Sequence, residues 1–278
     1  MRYSSLRRSA LDVRHWSPTT GAFHLCPVCV WCSSDRTLRQ GTPSVTISEP
    51  STLITDYLLG SLTAVLAWRM IAVRLKPDPT LGKGGKPDPT LGERRAPRHQ
   101  AVLYWGWALA ATAVGSFAGG TYHGFGPAMA PASATLLWKI TTLAMGVASV
   151  CLTAGAVTAA FIGSTRRTLL MAAVVKLVAY SAWMLTHDAF AYVIGEYGST
   201  LLLVLGLLAA NRIRGEGRHR AYLAGGILVS IAAAGIQQSG VRLHPHFNHN
   251  DLMHVVQMGA VWLLYQGGRR LHDADRRA

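Results

Sequence analysis

Histidines are concentrated near the C-terminal end of the chain, in a segment whose residue types can support metal or acid–base chemistry. Four of the eleven histidines lie within residues 241–254, which read VRLHPHFNHNDLMH. An apolar run follows at once, from Val255 to Gly267. Imidazole nitrogens bind zinc, copper and iron, and a neighbouring carboxylate or amide can orient them. The segment therefore predicts a site at the mouth of an apolar helix.

The composition of the whole chain is that of a membrane protein. Half of the 278 residues are hydrophobic and 14% are charged, against about a quarter charged in ordinary soluble domains. A helix needs about 20 apolar residues to cross a hydrocarbon core of about 30 Å. Seven windows reach or approach that length: 53–73, 101–122, 134–162, 168–186, 189–210, 221–239 and 252–267. Because lipid offers no partner to unpaired backbone groups, we predict an all-α, multi-pass bundle of seven transmembrane helices.

The positions of the charges predict the orientation of this bundle. The formal net charge is +14, and the basic residues concentrate in the connections after windows one, three, five and seven. The intervening connections, 123–133, 187–188 and 240–251, contain Arg242 as their only arginine or lysine. By the positive-inside rule, the N-terminus lies outside and the C-terminus in the cytoplasm. We expect a bacterial-type inner (plasma) membrane protein whose partner is the lipid bilayer rather than nucleic acid.

Residues 1–52 are expected to form a disordered tail, because they are basic and show no regular period. A wrong choice of start codon is an alternative origin for this stretch. His24, Cys26, Cys29 and Cys32 are ligand types that suit zinc. A structural zinc site usually has a second ligand pair farther along the chain, and none follows here. The role of these cysteines stays open.

The residues after position 52 comprise a membrane domain, a long loop within it and a short C-terminal tail. The loop 74–100 contains two copies of Lys-Pro-Asp-Pro-Thr-Leu-Gly, and its frequent prolines prevent regular structure. We predict a disordered loop there. Residues 53–271 form the seven-helix membrane domain, and residues 272–278 form a cytoplasmic tail.

Charged residues inside the windows predict contacts between helices. Lys139 and Lys176 lie within windows three and four, where a lysine at the bilayer centre costs about 2.5–3.5 kcal/mol without compensation. Glu196, in window five, is the only acidic residue deep enough to pair with them. Asp56 lies near the start of the first window, where capping of the helix is its simplest role. His254 and Gln257 lie one turn apart on the same face of the last helix.

The histidines associated with the helices sort to the external side of the predicted bundle: His123, His187, His244, His246, His249 and His254. If His123, His254 and one more imidazole bind zinc with a fourth position open, the bound water can ionise near neutral pH and attack a carbonyl. The candidates for that third ligand are His187, His244, His246 and His249, with His249 and His246 preferred.

Three carboxylates are candidates to hold or deprotonate this water: Asp56, Asp251 and Glu196. The spacing on the last helix sets one condition for the ligands. His249 and His254 are five residues apart, which separates their directions by about 140° on a regular helix. Both can bind the same ion only if His249 precedes the helix.

Two short motifs carry a resemblance to known membrane proteins. They are Gly119-x-x-x-His123 at the outer end of helix two and Asn250-x-x-x-His254 at the start of helix seven. Together with the seven helices, they resemble a group of uncharacterised bacterial membrane proteins and, more remotely, the superfamily of alkaline ceramidases and adiponectin receptors. The resemblance implies zinc bound by His123 and His254, and hydrolysis of a lipid amide or ester from the outer leaflet. Asn250 and Gly119 depart from the superfamily pattern, which has His and Ser at these positions.

Other functions fit the same residues. His123 and His254 can act as axial ligands of a haem held between helices. Lys139, Lys176 and Glu196 can instead form a polar path with the histidines in a proton-coupled transporter. A bundle in which the polar residues are purely structural, with no metal, is the fourth alternative.

Overall fold

The computed structural model describes residues 47–75 and 100–274. The predictions for the cysteine segment and for most of the proline-rich loop lie outside these residues. Within them the chain is helical, and each of the seven apolar windows falls on one α-helix. The helices are α1 (Pro50–Leu75), α2 (Gln100–Phe125), α3 (Pro131–Ala160), α4 (Gly163–Thr186), α5 (Phe190–Ala209), α6 (Gly217–Ser239) and α7 (His249–Gly268), with a 3-10 turn at Gly126–Ala128.

Five of the described helices, α2 to α6, are long and apolar enough to cross a membrane. This property indicates a membrane protein, as the composition predicts. Helices α1 and α7 are not in this group. Both contain polar residues, among them Asp56 and His254, within their apolar stretches.

Local sequence signals explain several helix ends. Helices α1 and α3 begin with Pro50 and Pro131, because the first turn of a helix needs no amide hydrogen from the residue there. Helix α6 ends at Gly240, whose φ of 65° lies in the left-handed region that glycine adopts without strain. Helix α7 begins with a capping box between Asn248 and Asp251.

The apolar core lies toward one end of the bundle. It combines the last turns of α1, α3, α5 and α7 with the first turns of α2 and α6, and its members include Met70, Trp105, Ala156, Leu208, Leu223 and Leu264. Glycines allow very close helix contacts here. A Cβ atom on Gly267 would lie 2.5 Å from Cγ of Leu223, so α6 and α7 approach closely enough to exclude a side chain. The opposite end of the bundle carries His123 and His254, which are not part of this apolar core.

Both lysines of the apolar windows have acidic partners. Lys176 Nζ lies 3.1 Å from Glu196 Oε2, which confirms that predicted pair. The same ammonium group donates to Ser199 Oγ at 2.8 Å, and Ser149 donates to the other oxygen of Glu196 at 3.0 Å. The prediction that Glu196 also forms an ion pair with Lys139 was wrong. Lys139 reaches Asp188 at 2.7 Å in the connection between α4 and α5, because its long side chain extends toward the end of the bundle.

Candidate functional site

A cavity of about 500 Å³ lies within the described bundle, at the end that carries the histidines. Its wall contains residues of α1, α2, α3, α5, α6 and α7. Polar side chains gather where these helices begin or end: Asp56, His123, Gln237, His249, Asn250 and His254. The cavity therefore has a polar end near the bundle surface and a second end deeper among the helices.

A buried acid–base pair forms part of the polar end. His254 Nε2 lies 3.1 Å from Asp56 Oδ1, and the two side chains are 9% and 7% exposed. The interpretation of Asp56 as a helix cap was wrong, because α1 begins at Pro50 and Asp56 lies in its second turn. The carboxyl group of Asp56 can contact His254 because it does not cap the start of α1.

The second ring nitrogen of His254 is held by α1 as well. Nδ1 lies 3.1 Å from Thr55 Oγ1, which is also within hydrogen-bond distance of the carbonyl oxygens of Ser51 and Thr52. The single hydroxyl proton of Thr55 can go either to a carbonyl or to Nδ1. Thr55 thus supports either tautomer of His254. Since Thr55 does not line the cavity, it positions the ring and does not face a ligand.

His123 is held by residues that precede α1. Its Nδ1 atom lies 3.2 Å from Glu49 Oε2. The amide of Ser48 donates to the carbonyl of Gly124 at 2.9 Å, which fixes the segment against the end of α2. Sequence analysis placed Glu49 in the irregular tail and so missed this contact. Pro50, a typical first residue of a helix, was the available signal that the bundle begins earlier.

Asp251 stabilises the start of α7 and does not line the cavity. Its side chain is fully buried. Oδ2 accepts from the amide of Asn248 at 2.7 Å, and Oδ1 accepts from the hydroxyl of Thr52 at 2.8 Å. The carboxylate that was predicted to activate water thus caps a helix and joins α7 to α1.

The predicted site residues divide into two groups. Asp56, His123, His249 and His254 line the cavity. The others lie elsewhere: Asp251 in the cap, Glu196 beside Lys176, and His246 on the exposed connection before α7. His249 is the first residue of α7, so it does not meet the condition for sharing an ion with His254.

The donor set at the polar end does not fit the zinc site that the resemblance implies. Among the residues that the structure describes, no group of three or more His, Cys, Asp or Glu side chains is arranged to hold a metal ion. Both ring nitrogens of His254 contact residues of α1, and Nδ1 of His123 faces Glu49.

The deeper part of the cavity presents an apolar wall. Leu59, Met145, Val193, Ile194 and Leu201 line it, together with glycines. Some hydroxyl groups there bond within the bundle. Those of Thr112 and Thr141 donate to carbonyls one turn earlier in their own helices, and Ser230 accepts from Gln257 at 3.2 Å. Ser116 and Tyr197 also line the cavity, so a bound molecule would meet a mostly apolar wall that contains a few polar groups.

The fold and the cavity define a helical membrane protein with an internal cavity that is polar at one end. The chain belongs to a family of unknown function, DUF6962, whose match covers residues 51–273. That range contains nearly all of the seven described helices. The comparisons with curated proteins and with solved structures found no match.

Proposed function

We propose that this integral membrane protein binds an amphiphilic, lipid-like molecule inside its helix bundle. The observation that carries the proposal is the cavity of about 500 Å³, in which titratable groups line one end and mostly apolar side chains line the remainder. Its volume lies within the range of about 300–1,000 Å³ that is usual for small-molecule sites. The polar group of the ligand would bond to Asp56 and His123, with His254 holding Asp56 in place, and its apolar chain would lie along α5.

Glycines on α5 provide a test of this proposal with a matched control. Gly198 lines the cavity, and a Cβ atom added there meets no atom within 4 Å. The Gly198→Leu variant should therefore place a side chain in the cavity, since its Cβ atom meets no neighbour. Gly206 on the same helix has equally open surroundings but does not line the cavity, so Gly206→Leu is the control.

The measurement is equilibrium binding of radiolabelled monooleoylglycerol to detergent-purified protein. Gly198→Leu should weaken binding at least tenfold, roughly the effect of 1.4 kcal/mol, while Gly206→Leu should bind as the wild type does. Asp56→Asn should weaken binding several-fold, because a hydrogen bond between neutral groups contributes about 0.5–1.5 kcal/mol. Absence of saturable binding to the wild type would refute the proposal.

Hydrolysis of a lipid amide or ester is a second candidate function. It is favoured by the contact between His254 and Asp56, both of which line the cavity. Asp56, held by His254 through Oδ1, would take a proton from water with its other oxygen, the hydroxide would attack the ligand carbonyl, and the proton would pass to the leaving alcohol or amine as the carbonyl–heteroatom bond breaks. Release of oleate from saturating monooleoylglycerol should occur in the wild type and fall by about 10²–10⁴ in Asp56→Asn. Binding without hydrolysis would reject this reaction alone.

The topology that fits these observations has α1 and α7 crossing the membrane beside the five apolar helices. The polar residues of α1 and α7 point to one another, as Asp56 and His254 do, so they need not face lipid. With the basic connections in the cytoplasm, the N-terminus and the polar end of the cavity lie outside the inner membrane. Accessibility of single cysteines introduced in the connections to a membrane-impermeant maleimide tests this arrangement.

Zinc, haem and proton-coupled transport remain predictions from the sequence. Metal analysis of purified wild-type protein beside His123→Ala and His254→Ala tests zinc, and a Soret absorption band tests haem. Stoichiometric zinc that is lost in both variants would restore the metal-dependent hydrolase as the leading function. Proton uptake by proteoliposomes, measured with Glu196→Gln as the comparison, tests transport.

A further inference from the structure

Two residues of the cavity wall are also exposed on the outer surface of the bundle. Leu202 of α5 is 60% exposed and Ile231 of α6 is 39% exposed, and both line the cavity. A side chain that contacts the interior space and the exterior lies at the edge of an opening. Both residues belong to helices that are apolar enough to cross a membrane. If α5 and α6 cross the membrane, an opening at this level faces the hydrocarbon region and not water, because Leu202 and Ile231 lie near the middle of the two helices.

The packing of α5 and α6 explains why an opening forms between them. At one end the helices are joined, since Arg220 donates to the carbonyl of Leu208 at 2.7 Å. Toward the other end the cavity lies along both of them, lined by Ile194 and Gly198 of α5 and by Ala234 of α6. A Cβ atom added on Gly198 would meet no atom within 4 Å. The two helices are fastened at one end, and the cavity lies along both of them toward the other end.

We propose that the cavity opens sideways to the membrane between α5 and α6, and that a single-chain amphiphile enters through this opening. The inference rests on the proposed function, because it assigns a route to the same ligand. The polar group of the entering molecule moves to Asp56 and His123, and its chain remains between Leu202 and Ile231. The ligand is drawn from the bilayer and is not captured from water.

The dimensions favour one chain. From Phe190 to Leu202, both of which line the cavity, α5 rises about 18 Å at roughly 1.5 Å per residue. This length holds an extended chain along one helix. The volume of about 500 Å³ is shared by that chain and the polar group, which leaves no second channel for another chain.

Bulky substitutions at the edge of the opening test the route through binding kinetics. Leu202→Trp and Ile231→Trp should slow both association and dissociation of monooleoylglycerol about tenfold, the effect of about 1.4 kcal/mol on a barrier. The equilibrium constant should change less than either rate. Leu203→Trp and Leu228→Trp are matched controls, because Leu203 and Leu228 are 42% and 56% exposed on the same helices and do not line the cavity.

A second variant separates a blocked opening from a damaged fold. Leu202→Ala removes bulk at the edge and should accelerate both rates several-fold, which a folding defect would not do. Unchanged rates in Leu202→Trp, Ile231→Trp and Leu202→Ala, with normal equilibrium binding, would overturn the lateral route and leave the proposed function standing. Equal slowing in the control variants would also overturn it. No binding to the wild type would refute the proposed function and this inference together.

Discussion

Substitution of Asp251 tests whether the start of α7 depends on its capping carboxylate. In Asp251→Ala, the amide of Asn248 and the hydroxyl of Thr52 both lose their acceptor. Asn248 is partly exposed and can bond to water, whereas Thr52 is fully buried and cannot. A hydrogen bond to a charged group contributes about 1.5–3 kcal/mol. Two such bonds, less the resolvation of Asn248, give a loss of about 3–4 kcal/mol in the free energy of unfolding.

The assay is equilibrium unfolding in mixed detergent micelles, combined with hydrogen exchange of the amides at 248–256. Asp251→Ala should exchange faster at the first turn of α7. Thr52→Val removes one bond and should cost about 1–2 kcal/mol. The double variant should be little less stable than Asp251→Ala alone, because both substitutions remove the same bond. A change below about 1 kcal/mol in Asp251→Ala, or fully additive effects, would refute this account of the cap.

The remaining predictions concern helix contacts, and each is measured by the same unfolding assay. Lys176→Met should lower the free energy of unfolding by about 3–5 kcal/mol, because Glu196 is left buried without its cation. The double variant Lys176→Met with Glu196→Leu should recover most of that loss. Equal losses in the single and double variants would contradict the pairing. Gly267→Val should cost about 1–3 kcal/mol, since its Cβ atom would meet Leu223. Gly259→Ala on the same helix meets no atom within 4 Å and should instead stabilise the protein by about 0.5–1 kcal/mol.

The sequence predicted the helices well because lipid imposes a strong and local requirement on each crossing segment. Every apolar window coincides with one described helix, and the pairing of Lys176 with Glu196 followed from the scarcity of acidic residues in the apolar windows. The capping box of α7 could also have been predicted, because Asn248 and Asp251 have its spacing. Assigning Asp251 to catalysis overlooked that signal.

The side-chain arrangement of the site was less predictable, because it depends on the rotation and register of neighbouring helices. Asp56 faces His254 only because α1 packs against α7 with these turns at one level. The sequence placed His246 and His254 on the same side of the bundle, yet only His254 lines the cavity. The contact between Glu49 and His123 joins residues 74 positions apart, and no periodic pattern marks such a pair.

The pairing of Lys176 and Glu196 also constrains how the chain enters the membrane. The two residues are 20 positions apart, on helices joined by the short connection 187–189. When α4 leaves the ribosome, Lys176 has no counter-charge, and a lysine at the centre of a helix opposes insertion by about 2.5–3.5 kcal/mol. Glu196 relieves that cost only after α5 has been synthesised. The nascent chain therefore gains by inserting α4 and α5 together as a helical hairpin, and a truncation before Glu196 should leave α4 poorly integrated.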